Sequence, residues 1–199
     1  MITKSVQRLE GVKDQIDSAI RVYFLRDDLV SALTLAGAAE RVLSDLQPQD
    51  GIFGVDAHSI RSMINLYIKA EHQKEAAALF RKDYDFFPHA DRSGVRDYEV
   101  KEVSVLFLIF LSLCSFEFLG QKKTVEMRAF FWWFFASHPH YLKQDAPVKA
   151  SVLKVRQILG EISKREYFQA FITASDGDLL FNLEAEKRTS QPRMVVRVS

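Results

Sequence analysis

Residues 103–116 read VSVLFLIFLSLCSF and contain no charged residue, no glycine and no proline. A helix that is apolar at every angle has no face to offer to water, so other elements must surround it. A membrane span needs roughly 20 apolar residues, and here Glu102 and Glu117 close the two ends of the run. The stretch Val103–Phe116 therefore predicts the buried central helix of an all-α domain and not a membrane span.

The composition is that of an ordinary soluble globular protein of one domain. The 199 residues are 48% hydrophobic and 27% charged, and the net charge is +1. Such a balance gives no overall field that would attract nucleic acid or an anionic membrane. The single cysteine, Cys114, excludes an intrachain disulfide and a zinc–cysteine site. Because the N-terminus has no apolar signal segment, we expect a cytoplasmic protein without a membrane segment.

Apolar residues at intervals of three or four predict an all-α bundle of five to seven helices over residues 1–186. The basic segment 187–199 is expected to form a mobile tail. Asp27 is the predicted N-cap of the second helix. Besides the central helix, the predicted helices run over about residues 4–25, over 29–46, after Asp56, over 73–84, over 122–136 (the aromatic helix) and from Pro147 to Ile172.

The segment after Ser175 leaves two conformations open. Asp176-Gly177 between two apolar runs is a hairpin signal, which would pair residues 170–174 with residues 179–183. We favour the alternative, in which the helix ends and a loosely packed segment follows.

The segment Asp85-Phe86-Phe87-Pro88-His89-Ala90-Asp91-Arg92 resembles the motif Asn-Phe-Phe-Lys-His-Ala-Asp-Arg-Asp of a bacterial all-α family. The likeness extends over roughly residues 16–142. The family has no established activity, so the resemblance implies a fold and not a function. Pro88 replaces the lysine of the motif and Asp85 replaces its asparagine, which removes a cation and adds a negative charge. The resemblance therefore does not carry anion binding over to this loop.

The same loop supplies the candidate ligand-binding residues Asp85, His89, Asp91 and Arg92. A loop that a rigid scaffold positions is a common place for function. A structural interpretation is favoured, because networks of this kind are common. In that interpretation Asp91 caps the next segment, His89 bonds to the backbone, and Arg92 pairs with Asp85.

This region also resembles the HEPN ribonucleases, which are all-α bundles. In that family an arginine holds the phosphate and a histidine acts as acid or base without a metal. The resemblance makes His89, together with Arg92 or Arg81, the candidate catalytic residues. Arg81 lies eight positions before His89, which is about 12 Å along a helix, and Pro88 interrupts that helix. Because a base must come within about 3 Å of its proton, HEPN chemistry ranks second.

Motifs for a metal, a cofactor or a covalent nucleophile are not evident. His138-x-His140 and His89-x-Asp91 lack the helical i, i+4 spacing of a zinc protease pair. The sequence Gly51-Ile52-Phe53-Gly54 lacks the Lys-Ser/Thr of a phosphate loop. We therefore expect no metal and no cofactor, and the residues lean against an enzyme.

The aromatic helix contains six consecutive aromatic residues, from Phe130 to Phe135, which cannot all face one side. Exposed aromatic surface marks interfaces, so Phe131, Trp132, Trp133 and Phe135 are the interface candidates. Full burial within one chain is the open alternative.

These patterns lead to three functional hypotheses. The first is a non-catalytic interaction or scaffold protein that self-associates as a homodimer or binds another protein. The second is a HEPN-like, metal-independent ribonuclease, which would make nucleic acid the partner. The third is a small-ligand-binding bundle with a pocket under the aromatic helix.

Overall fold

The structure is a computed structural model, which describes residues 7–46, 65–74, 99–160 and 162–174. Within these residues the chain is all-α, as predicted. Residues 65–67 and 70–74 are helical, and between them Ile68 forms an isolated antiparallel bridge with Leu142. The six longer helices are α1 (Arg8–Arg26), α2 (Leu29–Leu46), α3 (Glu102–Phe118), α4 (Val125–Ser137), α5 (Lys149–Leu159) and α6 (Lys164–Thr173).

Several predictions concern other parts of the chain. The helix after Asp56, most of the stretch 73–84, the segment after Ser175 and the basic tail 187–199 lie outside the described residues. They remain predictions, except that the hairpin alternative is wrong: residues 170–173 belong to α6 and not to a strand.

Helix α3 is the centre of the bundle, as its sequence predicts. Every residue from Ser104 to Phe116 is buried, and α2 packs along it while α1 and α4 also contact it. The helix ends at Phe118, and Gly120 then takes a positive φ of 77°, a conformation that glycine adopts at little cost. None of the described helices is both long and apolar enough to cross a membrane.

Helix α4 is turned almost entirely into the core of its own chain. Phe130, Phe134 and Phe135 have no exposed surface, and the ring of Phe134 stacks on that of Phe110 in α3 at a centroid distance of 5.3 Å. Such aromatic pairs add about 1 kcal/mol each to the stabilisation from buried area. Among the six aromatic residues only Trp132 is half-buried.

The N-cap predicted for α2 is wrong by one residue. Asp27 is instead the C-cap of α1, where it takes a left-handed φ of 53°. Asp28 caps α2, because its Oδ1 accepts a hydrogen bond from the backbone nitrogen of Ser31 at 3.0 Å. Either aspartate could cap from sequence, and only the path of the turn decides between them.

The last long helix, predicted from Pro147 to Ile172, is two helices. The break falls between Leu159 and Lys164 and includes Gly160. Ser163 then starts α6 with a capping box, since its Oγ accepts from the nitrogen of Glu166 at 3.2 Å and Glu166 Oε2 accepts from the nitrogen of Ser163 at 2.8 Å. Ser-x-x-Glu after a glycine is a helix start signal, which the continuous apolar stripe concealed.

Candidate functional site

An open cleft of about 430 Å³ lies where the end of α3 meets the start of α4. This volume falls within the range of small-ligand sites, which is about 300–1,000 Å³. The side chains that line the cleft are Tyr67, Glu117, Gln121, Lys122, Lys123, Arg128, Phe131, Trp132 and Val148.

The link between the two helices is short and tightly held. At its start, the nitrogen of Gly120 donates to the carbonyl oxygen of Glu117 at 2.9 Å. At its end, Thr124 caps α4, because its Oγ1 accepts from the nitrogen of Met127 at 3.1 Å. These two caps fix the consecutive lysines 122–123 beside the first turns of α4.

The floor of the cleft is aromatic. The ring of Phe131 meets that of Tyr67 edge to face at 5.3 Å and that of Trp132 at 5.3 Å. Tyr67 is held in place because its carbonyl oxygen accepts from the nitrogen of Lys143 at 2.9 Å. Burial, together with the charge of Glu117, raises the pKa of the Tyr67 phenol, which therefore stays a neutral hydrogen-bond donor.

The rim of the cleft is positively charged. Lys123 Nζ lies 2.9 Å from Glu117 Oε2 and 4.7 Å above the centre of the Phe131 ring. Lys122 and Arg128 are exposed. The lining thus combines three positive charges and one negative charge, a net charge of +2, whereas the whole chain carries only +1.

The structure brings only some of the predicted site residues to this cleft. Phe131 and Trp132 line it, while Trp133 and Phe135 face the core with 7% and 0% of their surface exposed. The loop residues with predicted roles lie outside the described residues, so those roles stay predictions: Arg81, Asp85, His89, Asp91 and Arg92.

Sequence reasoning missed the charged part of the cleft. Two consecutive lysines directly after the helix stop at Gly120, followed by an aromatic helix, were the available signal. No local signal predicted that Tyr67 would line the cleft, because it lies about 50 residues before the other aromatic and charged residues of the lining.

A second polar cluster surrounds Tyr141. Its ring centre lies 4.1 Å from that of His140, 4.9 Å from that of His72 and 6.1 Å from that of His138. His138 Nδ1 lies 3.2 Å from the carbonyl oxygen of Phe134, and burial lowers the pKa of this histidine. No group of three or more His, Cys, Asp or Glu in the described ranges is arranged to hold a metal ion. The contacts of His72 with His140 and Tyr141 pack residues 65–74, which carry Tyr67, against the loop after α4.

A third polar group is buried between α2 and α3. Glu40 has no exposed surface, and its Oε1 accepts from Ser44 Oγ at 3.3 Å. The hydroxyl of Ser115 is close enough to favour the charged carboxylate, but Glu40 Oε2 and Ser115 Oγ have no hydrogen bond of good geometry within the described chain. Burial has the larger effect and raises the pKa of Glu40 to about 7.

Comparison with known proteins finds no matching family model, no matching curated protein and no matching solved structure.

Proposed function

We propose that the protein is a non-catalytic binding protein whose cleft takes an anionic ligand with an apolar or aromatic part. The observation that carries the proposal is the combination of an aromatic floor with a rim of net charge +2 in one open cleft. It corresponds to the third hypothesis from the sequence, a pocket under the aromatic helix.

The strength of such binding can be bounded from its parts. A hydrogen bond to a charged group contributes about 1.5–3 kcal/mol, and stacking on an aromatic side chain contributes about 1–3 kcal/mol. Two bonds from the rim and one ring contact would together give about 4–9 kcal/mol, before the cost of ordering Lys122 and Arg128. After that cost, we expect a dissociation constant no tighter than about 1 μM.

The residues of the cleft favour binding over catalysis. Its described lining contains no serine, threonine, cysteine or histidine, and its one carboxylate, Glu117, already pairs with Lys123. Cys114 lies inside α3, where burial raises the pKa of its thiol well above the ordinary value. A thiolate nucleophile is therefore disfavoured.

A binding experiment with an anionic aromatic dye tests the proposal. We expect 8-anilinonaphthalene-1-sulfonate to bind the folded protein with enhanced fluorescence. The double variant Lys122→Gln/Arg128→Gln should weaken this binding about fivefold or more, because it removes two rim cations. The matched control Arg156→Gln/Arg165→Gln removes the same charge from exposed positions on α5 and α6 and should leave binding within about twofold.

Near-ultraviolet circular dichroism must first establish that both variants keep the native packing of their aromatic rings, since the dye also binds loosely packed states. Equal dye affinity in wild-type protein and in the cleft variant would contradict the proposal. Equal losses of dye affinity in both double variants would contradict it as well, because the cations of the cleft would then matter no more than exposed arginines elsewhere.

Self-association is the second candidate function, and one observation favours it. Apolar side chains remain partly exposed at Trp132, which lines the cleft, and at the sequence neighbours of Tyr67 and Glu117: Trp132 is half-buried, Leu66 is 45% exposed and Phe118 is 36% exposed. A homodimer or another protein partner could cover these apolar side chains. HEPN-like chemistry stays a prediction from the sequence.

We also propose a cytoplasmic location. The single cysteine of the chain is buried in α3. Disulfides form and persist in oxidising compartments and are rare in the cytosol, so a single buried cysteine fits a reducing compartment.

A further inference from the structure

The charge and the ring chemistry of the cleft together select a class of ligand. We infer that the ligand is a phosphate monoester carried on a planar heteroaromatic ring, as in a nucleoside monophosphate or the phosphorylated end of a single nucleic acid strand. This inference rests on the proposed function, since it concerns the same cleft.

The charge of the lining matches one phosphate monoester. Such a group carries a charge of about −1.5 to −2 at pH 7, and the lining contains three cationic side chains against a single carboxylate. A nucleoside triphosphate carries more charge and usually arrives with Mg²⁺, which proteins hold through one or two carboxylates besides its waters and the phosphates. The cleft offers a single carboxylate, that of Glu117, and Lys123 already binds it. A monophosphate is therefore the better match.

The ring surface of the cleft suits a planar partner. Trp132 is half-buried, and its ring plane makes an angle of 85° with that of Phe131. The two rings therefore meet edge to face, and Phe131 does not stack on the indole ring of Trp132. Bases stack readily on tryptophan, with about 1–3 kcal/mol per base. An acidic peptide without aromatic residues would supply carboxylates to the rim but no planar ring, so it would leave this surface unused.

The position of Lys123 adds a further reason. Its ammonium group lies over the Phe131 ring and against Glu117 at the same time, so the side chain is already ordered before a ligand arrives. A preordered cation loses less side-chain entropy on binding a phosphate. Lys122 and Arg128 then add charge from the exposed rim.

Calorimetric titration with four probes tests the inference: adenosine monophosphate, adenosine, inorganic phosphate, and a six-residue oligoadenylate with a 5′-phosphate. We expect the monophosphate to bind about tenfold or more tightly than adenosine or phosphate alone, because only it engages both floor and rim. Tighter binding of the oligonucleotide than of the free nucleotide would identify a nucleic acid end as the source of the ligand. Tighter binding of the free nucleotide would identify a small metabolite.

Two tryptophan variants separate the ring contact from the charge. Trp132→Leu should weaken monophosphate binding about fivefold or more and leave phosphate binding within about twofold. Trp133→Phe is the matched control, because Trp133 is buried and does not line the cleft; it should bind as wild type. Near-ultraviolet circular dichroism establishes that each variant is folded.

Failure of the inference and failure of the proposed function give different results. If the dye binds through Lys122 and Arg128 but the monophosphate binds no better than adenosine or phosphate, the inference is wrong and the proposed function stands. If neither the dye nor the monophosphate depends on these two cations, both are wrong. Equal losses of monophosphate affinity in Trp132→Leu and Trp133→Phe would also overturn the inference.

Discussion

At the scale of single residues, the ionisation of Glu40 is tied to folding. Burial raises its pKa from the ordinary value of 4.5 to about 7. In the unfolded chain the carboxyl loses its proton near pH 4.5, whereas in the folded protein it keeps the proton until about pH 7. The unfolded state therefore binds fewer protons in this interval, and the free energy of unfolding falls as the pH rises through it.

Substitution of Glu40 by glutamine should remove this pH dependence. At pH 8 we expect Glu40→Gln to be more stable than wild type by up to about 3 kcal/mol, since one pKa unit corresponds to about 1.4 kcal/mol. At pH 5 the two proteins should agree within about 1 kcal/mol. Urea unfolding at pH 5, 6, 7 and 8 measures the difference.

The control for this experiment is Glu10→Gln, which removes an exposed carboxyl from the first turn of α1. Its stability should run parallel to that of wild type across the pH series. Parallel curves for Glu40→Gln and wild type would show that Glu40 ionises normally in the folded protein.

At the scale of helices, the break between α5 and α6 depends on Ser163. Its hydroxyl accepts a hydrogen bond from the backbone nitrogen of Glu166 at 3.2 Å, and the carboxylate of Glu166 accepts one from the backbone nitrogen of Ser163. Without this cap the nitrogen groups at the start of α6 lose a protein partner. The cap therefore orients Tyr167 and Phe168, which are buried against the core.

Removal of the cap should lower the free energy of unfolding. We expect Ser163→Ala to cost about 1 kcal/mol, the usual effect of losing a serine N-cap. Ser137→Ala provides the comparison, because Ser137 is exposed at the last position of α4 and should change stability by less than about 0.5 kcal/mol. Equal effects of the two substitutions in urea unfolding would argue against a capping role for Ser163.

At the scale of the whole molecule, the burial of α4 bears on its oligomeric state. Most of the aromatic surface that could have formed an interface is already covered by the same chain, and Trp132 alone of the six consecutive aromatics is half-buried. We expect light scattering on a sizing column to give a monomer of 22.9 kDa. Excess absorbance at 260 nm in that peak would accompany a bound nucleotide.

A peak of twice that mass would favour self-association, the second candidate function, over ligand binding in an open cleft. In that case Trp132→Glu should return the protein to a monomer, since a charge at the centre of an apolar interface is costly. The control Arg165→Glu adds a charge to an exposed position on α6 and should leave the dimer intact.

Local features of the chain could be predicted from the sequence because neighbouring residues determine them. Fourteen uncharged residues are too long a run for a typical strand and have no polar face, so they favour a buried helix, and the helix stop at Gly120 follows from the freedom of glycine at positive φ. The all-α class and the central place of α3 followed from these signals alone.

Other features depended on the tertiary structure, because they require knowledge of what packs against what. Adjacent residues on a helix point about 100° apart, so the sequence could not tell that Trp132 would line a cleft while Trp133 would enter the core. The cleft itself joins Tyr67, residues 117–132 and Val148, which are distant in sequence and meet only through folding. The ionisation of Glu40 likewise follows from burial between α2 and α3, and no spacing of residues encodes that burial.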